Sequence, residues 1–262
     1  VAAGERSWKQ DAPTWGIWGV GDREVGMLPD DMRGMRAIEL GCGTGYVSAW
    51  MTRRGARVVG IDNSVRQLAT AERLRREHGL AITFIHGNAE EVPYPDGSFD
   101  FAVSEYGAAI WCDPYRWIPE AYRLLVPGGE LRFLGTHPLA IVCSPETGAD
   151  VNGRLHRDYF DLHLTDWRNV EVDAGGVEFN LSWSGWFELF RTTGVRGGRV
   201  SRAETWRSAA RGQILDPSRV GAALAVRTGL ESPEAYCGTS WASANSMISS
   251  GGRARNRPRG MS

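Results

Sequence analysis

The segment Glu39-Leu40-Gly41-Cys42-Gly43-Thr44-Gly45 constrains this chain more than any other stretch. It follows a short strand-like run, Arg36 to Leu40. It precedes a helical pattern with Tyr46, Val47, Trp50 and Met51 on one face and Gly55 as its stop. Glycines let a backbone turn sharply and approach a ligand closely. The helix behind them opens with unpaired N–H groups at the positive end of its dipole, a setting that suits a phosphate or a carboxylate.

The rest of residues 35–135 repeats this strand–turn–helix unit. Arg57 to Ile61 reads as a second strand ending at Asp62, and Asn63 or Ser64 caps the next helix. Val65, Leu68, Ala69 and Leu74 are expected to face inward on that helix, with Gly79 as its end. Ala81 to His86 is a third strand, and Phe99 to Ser104 a fourth. Asp113 then caps a helix with Pro114 at its first position and a stripe of Trp117, Ile118, Ala121, Leu124 and Leu125. Pro127-Gly128-Gly129 ends it, and Glu130 to Gly135 is a fifth strand. Strands alternating with helices at this spacing imply a parallel sheet with right-handed crossovers. Asp62 then lies beside the glycine turn, where its carboxylate can accept hydrogen bonds from ribose hydroxyls. Dinucleotide folds favour G-x-G-x-x-G/A; here the glycines stand at 41, 43 and 45, and position 46 is Tyr46.

With these motifs in order, the chain resembles the class I S-adenosylmethionine-dependent methyltransferases, particularly the type 11 group. The matching segments are Ile38 to Gly45, Gly60 to Ser64, Gly87 to Asp100 and Leu124 to Leu131, and they cover residues 35–135. The resemblance implies an α/β fold, a Rossmann-like, doubly wound, mainly parallel sheet flanked by helices. It implies S-adenosyl-L-methionine as cofactor and a small-molecule methyl acceptor. Carried onto matching positions, Glu39 with Gly41, Cys42, Gly43, Thr44 and Gly45 would hold the methionine part. Asp62 would take the ribose hydroxyls and Asn63 would lie beside the adenine. Asn88, Ala89 and Glu90 would border the adenine ring, and Glu105 and Tyr106 would sit near the sulfonium and the acceptor.

Methyl transfer from a sulfonium depends chiefly on positioning and desolvation. A hydroxyl or protonated amine acceptor also calls for a general base. The candidates are His137, Tyr106 and Glu105; His137 follows the fifth strand, at the carboxyl end of the sheet where open α/β folds bind ligands. Cys42 reads as packing rather than a nucleophile. His156 and His163 lack metal-ligand spacing, so no metal is expected. Trp15, Trp18, Trp111, Tyr159, Trp167, Trp183 and Trp186 are each core candidates that could also line an aromatic acceptor pocket.

Around this domain, residues 1–34 form a Trp- and Gly-rich arm, and residues 136–181 a less regular insertion; both are expected to serve as lids. Ser182 to Thr193 reads as a helix with Trp183, Trp186, Phe187 and Phe190 on one face and Gly194 as its stop. In the family an antiparallel strand hairpin follows that helix. Here the chain reads Val195-Arg196-Gly197-Gly198-Arg199, and residues 195–262 carry eleven Arg against four acidic residues. The hairpin is therefore expected to be missing or altered, with a piece such as Pro217 to Thr228 compatible with a helix and residues 253–259 a disordered basic run. Lys9 is the single lysine; this Arg skew fits a GC-rich gene shifted out of frame near residue 195. A native basic tail is the rival explanation.

The formal net charge of −1 gives no global reason to expect nucleic acid or an anionic membrane as partner. No apolar run is long enough to span a bilayer, and no secretory leader is evident. With four cysteines and no metal or disulfide spacing, a reducing cytoplasm is the expected compartment. A nicotinamide-dependent oxidoreductase, a cofactor-binding protein that has lost turnover, and an RNA methyltransferase anchored by the Arg-rich tail are the competing readings. Oligomeric state stays open.

Overall fold

The computed structural model describes residues 2–16, 19–170 and 176–195, together with the backbone of two further strands, 198–202 and 221–226. Five strands run parallel through its centre: β3 (Arg36–Leu40), β4 (Arg57–Asp62), β5 (Ile82–His86), β6 (Phe99–Glu105) and β7 (Leu125–Thr136). Their spatial order β5-β4-β3-β6-β7 reverses direction at β3. The crossovers out of β3 and β6 therefore lie on opposite sides of a crevice at the carboxyl edge, the place where such sheets bind ligands.

Local chemistry explains the helices. α3 (Tyr46–Arg53) starts at Gly45 in the left-handed region (φ 75°). α4 (Val65–Glu77) is capped by Ser64 and buries Leu68, Ala71 and Leu74. Val65 is solvent-exposed and Ala69 is exposed as well, so the buried stripe is rotated from the expected one; positions 68, 71 and 74 have helical spacing, whereas 65 and 69 flank it. Following the short α5 (Ala108–Trp111), α6 (Pro114–Leu124) begins at Asp113, whose side chain accepts from Tyr115 N, with Pro114 at the first position. α6 stops at Leu124 and the chain is already strand at Leu125, earlier than Pro127-Gly128-Gly129 suggested. Pairing of Leu125 with Phe99 accounts for this, with a register irregularity before the regular ladder resumes at Phe101–Glu130.

One core layer lies between the sheet and α6 with α8 (Trp183–Thr193): Trp117, Ile118, Leu124, Phe133, Trp186 and Phe190. Ser182 caps α8 and Gly194 ends it at φ 88°. Phe187 faces solvent with 51% of its area exposed, while Leu189 is buried in its place. The opposite layer receives the N-terminal segment, α1 (Ala2–Trp8), the two-residue strands β1 (Thr14–Trp15) and β2 (Val20–Gly21), and α2 (Asp22–Val25). Trp8 and Trp15 are fully buried there with Met27 and Met32.

The strand hairpin expected to be missing is present in backbone. β10 (Gly198–Arg202) pairs antiparallel with β11 (Gly221–Val226), and β11 pairs antiparallel with β7 over Leu131–Thr136. The fifth strand is therefore covered rather than left as an open edge. The strand sequences are altered: one holds two arginines, and the other is the Ala-rich run that a helical reading of residues 217–228 claimed. An unpaired row of β7 backbone groups favours a strand there over weak helix propensity, a tertiary override of local preference. The rest of the Arg-rich segment, including 253–259, lies outside the described residues, as does Trp18.

Between β7 and α8, the insertion contains α7 (Pro138–Val142) and an antiparallel pair, β8 (Leu164–Asp166) with β9 (Val177–Phe179). Asn180 Nδ2 donates to Thr136 O at 2.8 Å and fixes the end of β9 to the carboxyl end of β7. Among the described residues no helix is long and apolar enough to cross a membrane.

Candidate functional site

The loop after β3 is shaped from several directions. Gly41, Gly43 and Gly45 all have positive φ (76°, 52° and 75°), which L side chains rarely adopt. Gly41 N and Cys42 N both donate to Ile61 O at 2.9 Å, closing the loop onto the end of β4. Asp62 completes the closure: Oδ2 accepts from Gly43 N at 2.7 Å, and Oδ1 accepts from Ser64 N at 2.8 Å. A carboxylate oxygen retains acceptor capacity beyond one such bond, so Asp62 can still receive hydroxyl donors. A Cβ placed on Gly41 would meet the backbone of Gly107 and Ala108, while one on Gly43 would meet nothing within 4 Å. The glycine at 43 thus faces an open cradle next to a carboxylate, which fits a ribose-bearing cofactor.

Glu39 is buried and ties the loop to its helix. Its Oε2 accepts from Ser48 N at 2.7 Å and from Ser48 Oγ at 2.5 Å. Burial pushes its carboxyl up to about 8, and the neighbouring charges of Glu105 and Asp62 act in the same direction. These three carboxylates therefore share one region. Cys42 is buried, and its thiol is held well above the ordinary range by burial and by Glu39 and Asp62.

The far wall is built from the loop after β5. Asn88 Oδ1 accepts from Glu90 N at 3.0 Å, and Cys112 Sγ lies 3.7 Å from the same oxygen. Glu90 reaches Asp113 N at 2.8 Å and Arg116 at 3.1 Å, bracing the loop against the start of α6. Ala89 is buried in the core below, and Asn63 is exposed, its carbonyl 3.1 Å from His86 Nε2.

Glu105 and Tyr106 follow β6. Glu105 Oε1 accepts from Gly16 N at 3.0 Å, and Oε2 accepts from Tyr46 Oη. One carboxylate so joins the N-terminal segment, β6 and α3; burial raises its affinity for a proton. Tyr106 is the one non-glycine residue with positive φ (47°) among the described residues, a strain of the kind that gathers at functional sites. Its phenol is pushed up to about 12 by burial and by the charges of Glu105 and Glu178. It is thus protonated near neutrality. His137 immediately follows β7. It caps α7, with Nδ1 accepting from Leu139 N at 3.0 Å and its ring edge-on to Trp183.

Three features escaped the sequence reading. The N-terminal helix sits directly on the glycine loop: Trp8 Nε1 donates to Thr44 O at 2.8 Å, and a Cβ on Gly4 would overlap Thr44. Tyr46 is a site residue as well as a helix starter, through Glu105. Glu178, half-buried on β9, accepts from Trp167 Nε1 at 3.2 Å and acts on Tyr106. Contacts this distant in sequence leave no local signature, and a three-residue strand carries too little alternation to detect. His163 bonds Asp113 at 3.1 Å and His156 bonds Asn152 at 3.0 Å. No grouping of three or more His, Cys, Asp or Glu with metal-site geometry occurs among the described residues.

Residues 38–133 match the family model described as a methyltransferase domain, Methyltransf_11. A demethylmenaquinone methyltransferase of Thermus thermophilus is 35% identical over 131 residues, which are 49% of this chain and 56% of that protein. A malonyl-[acyl-carrier protein] O-methyltransferase of Pectobacterium atrosepticum is 33% identical over 114 residues, 43% of each chain. The chain thus spans about half the length of these curated relatives. The crystal structure of an S-adenosylmethionine-dependent methyltransferase from Mesorhizobium loti superposes with a TM-score of 0.62 at 25% identity, covering 81% of this chain and 100% of that one.

Proposed function

Because this chain carries a class I S-adenosylmethionine-dependent methyltransferase domain, we propose that it is a methyltransferase acting on a small-molecule acceptor. The observation that carries this reading is the pairing of Asp62 with Gly43: a carboxylate locked beside a left-handed glycine whose outer face is open. When bound, S-adenosylmethionine supplies an activated methyl group on a cationic sulfur.

The residues divide the work. Gly41 to Gly45 and Glu39 hold the methionine end, Asp62 the ribose, and Asn63 with Asn88 to Glu90 the adenine. Glu105, a half-buried carboxylate ordered by Tyr46 and Gly16, presents negative charge where the cofactor is positive and ties the N-terminal segment over the site. That segment and the β8–β9 hairpin exclude water, which strengthens these charge interactions. Relatives named for quinone and acyl-carrier acceptors support a small or carrier-borne acceptor without choosing one.

Calorimetric titration with S-adenosylhomocysteine, with NAD as control, tests the reading. Saturable binding of the former alone is expected, with Asp62→Ala weakening it at least tenfold. Binding of NAD in preference, or well-folded protein that binds neither, overturns the proposal.

A further inference from the structure

We propose a second binding site at the amino edge of the sheet, for a small organic oxyanion: a phosphate or carboxylate group on an apolar or aromatic body. The proposal does not rest on the methyltransferase reading, because the site lies at the other end of the sheet from the cofactor crevice.

A cavity of about 610 Å³ is lined by the residues that open four strands: Arg36 of β3, Arg57 of β4, Ile82 of β5 and Phe99 of β6. Arg75 of α4 and Tyr94 of the β5–β6 connection complete the wall. The length of β3, roughly 13 Å at strand rise, separates Arg36 from Leu40, where the glycine loop begins. The volume is in the range of small-molecule sites.

The chain leaves this end open for a local reason. Parallel sheets are ordinarily covered on both faces by crossover helices. The connection from β5 to β6, residues 87–98, holds Pro93, Pro95 and Gly97 and forms no helix. Arg57, Ala81 and Thr83 are left exposed beside it. The connection is nevertheless firmly held. Arg123 donates to Tyr94 O at 2.8 Å, Val92 N donates to Glu120 at 2.7 Å, and the Tyr94 ring is tilted against Phe99 with centroids 5.1 Å apart. The wall is thus formed before a ligand arrives, which lowers the ordering cost of binding.

Charge then selects the ligand. Arginine is ionised at any working pH and offers five donors in a planar fork. Arg36 pairs with Asp100 through Nε at 3.1 Å and Nη2 at 2.8 Å, and Arg75 pairs with Glu72 through Nε at 2.9 Å. Among the described residues, Nη1 of both arginines is left to donate. Those two carboxylates offset two of the guanidiniums and leave the charge of Arg57 in excess. The lining itself holds three arginines and, among the described residues, no Asp or Glu. Guanidinium forks match the oxygens of a phosphate or carboxylate, while Ile82, Phe99 and Tyr94 receive an apolar body.

Calorimetry on the full chain tests this with four probes: phenyl phosphate, 3-phenylpropanoate, 2-phenylethanol and inorganic phosphate. Both aryl anions should bind saturably and about tenfold tighter than the alcohol, with phenyl phosphate tighter than inorganic phosphate. The tighter of the two aryl anions identifies the head group. Arg57→Gln should weaken anion binding about tenfold with the melting temperature of the parent, since that side chain is exposed; Arg57→Lys should restore part of the affinity. Saturation with S-adenosylhomocysteine should leave anion affinity unchanged. The inference is overturned by an alcohol or inorganic phosphate that binds as tightly as the aryl anions, or by anion binding that Arg57→Gln leaves intact. Anion binding abolished by S-adenosylhomocysteine, or no anion binding by folded protein, overturns it equally.

Discussion

Alanine at Gly41 and at Gly43 should separate the two jobs of the glycine loop. Both residues have positive φ, 76° and 52°, so each substitution carries the same backbone penalty, about 1–2 kcal/mol for a left-handed L residue. They differ in what the new methyl meets. At Gly41 the Cβ would lie 2.6 Å from Ala108 N and 2.7 Å from Gly107 Cα, backbone that cannot swing away. Overpacking of this kind adds about 1–3 kcal/mol, giving a total of about 2–5 kcal/mol. That is a large share of the roughly 5–15 kcal/mol that holds a domain folded. At Gly43 nothing lies within 4 Å, so stability should fall only by the backbone penalty while the methyl occupies the cradle beside Asp62. Urea unfolding of both variants, with calorimetric titration of S-adenosylhomocysteine, reads the two effects. Gly41→Ala should lose about 1–3 kcal/mol more stability than Gly43→Ala. Gly43→Ala should bind at least tenfold more weakly than the parent, a change of about 1.4 kcal/mol. If Gly43→Ala binds as the parent does, the open face is not the cofactor's, and if the two variants are equally stable the close approach to Gly107 is not real.

Three further outcomes are expected. Glu39 has its proton affinity raised in the fold, from 4.5 to about 8, so its contribution is fully present below about 4.5 and is lost as pH rises towards about 8; Glu39→Gln should flatten that decline, measured as urea midpoints at pH 5 and pH 8, and an unchanged slope would show that Glu39 does not cause it. Asp22 gathers the N-terminal segment, with Oδ1 accepting from Trp15 Nε1 and Met27 N at 2.8 Å and Oδ2 paired with Arg54 at 2.7 Å; Asp22→Ala leaves those donors and a charge buried, and should cost about 3–5 kcal/mol in thermal or chemical unfolding. Truncation after Gly194 removes the partner of Leu131 to Thr136 and should convert a dispersed protein into one that associates in light scattering; a dispersed truncated chain with an unchanged melting temperature would show the added strands to be dispensable.

Much of this architecture is legible in sequence, because its determinants are local. The strand–glycine–helix unit at 36–53, Asp113 and Pro114 at the start of α6, and Ser182 and Gly194 bracketing α8 are short-range signals, and each element lies where they place it. The rotated face of α4 and the start of β7, at Leu125 rather than Glu130, are set by which neighbour is packed or paired. The hairpin after α8 is a different case. Its sequences lack strand character, and only the exposed backbone of β7 specifies where they go. The same holds within the site. Glu39, Asp62 and the loop are adjacent by register, since β3 and β4 pair from Arg36–Arg57 to Leu40–Ile61. Gly16 to Glu105 spans 89 residues, and only the folded chain brings them together.

That long-range bond changes how the N-terminal segment should be regarded. An arm that merely covers a site would touch its rim. Here Trp8 and Trp15 are wholly buried, Trp8 bonds the carbonyl of Thr44, and Gly16 bonds Glu105. The glycine loop is consequently held on one side by Ile61 and Asp62 and on the other by α1, with no Cβ tolerated between Gly4 and Thr44. Loop geometry and cover are then one cooperative unit, because loosening the segment removes a wall from the loop and a donor from Glu105 together. The β8–β9 hairpin approaches through Glu178 and Trp111 on other residues altogether. The bonds of Trp8 to Thr44 and of Gly16 to Glu105 do not pass through that hairpin.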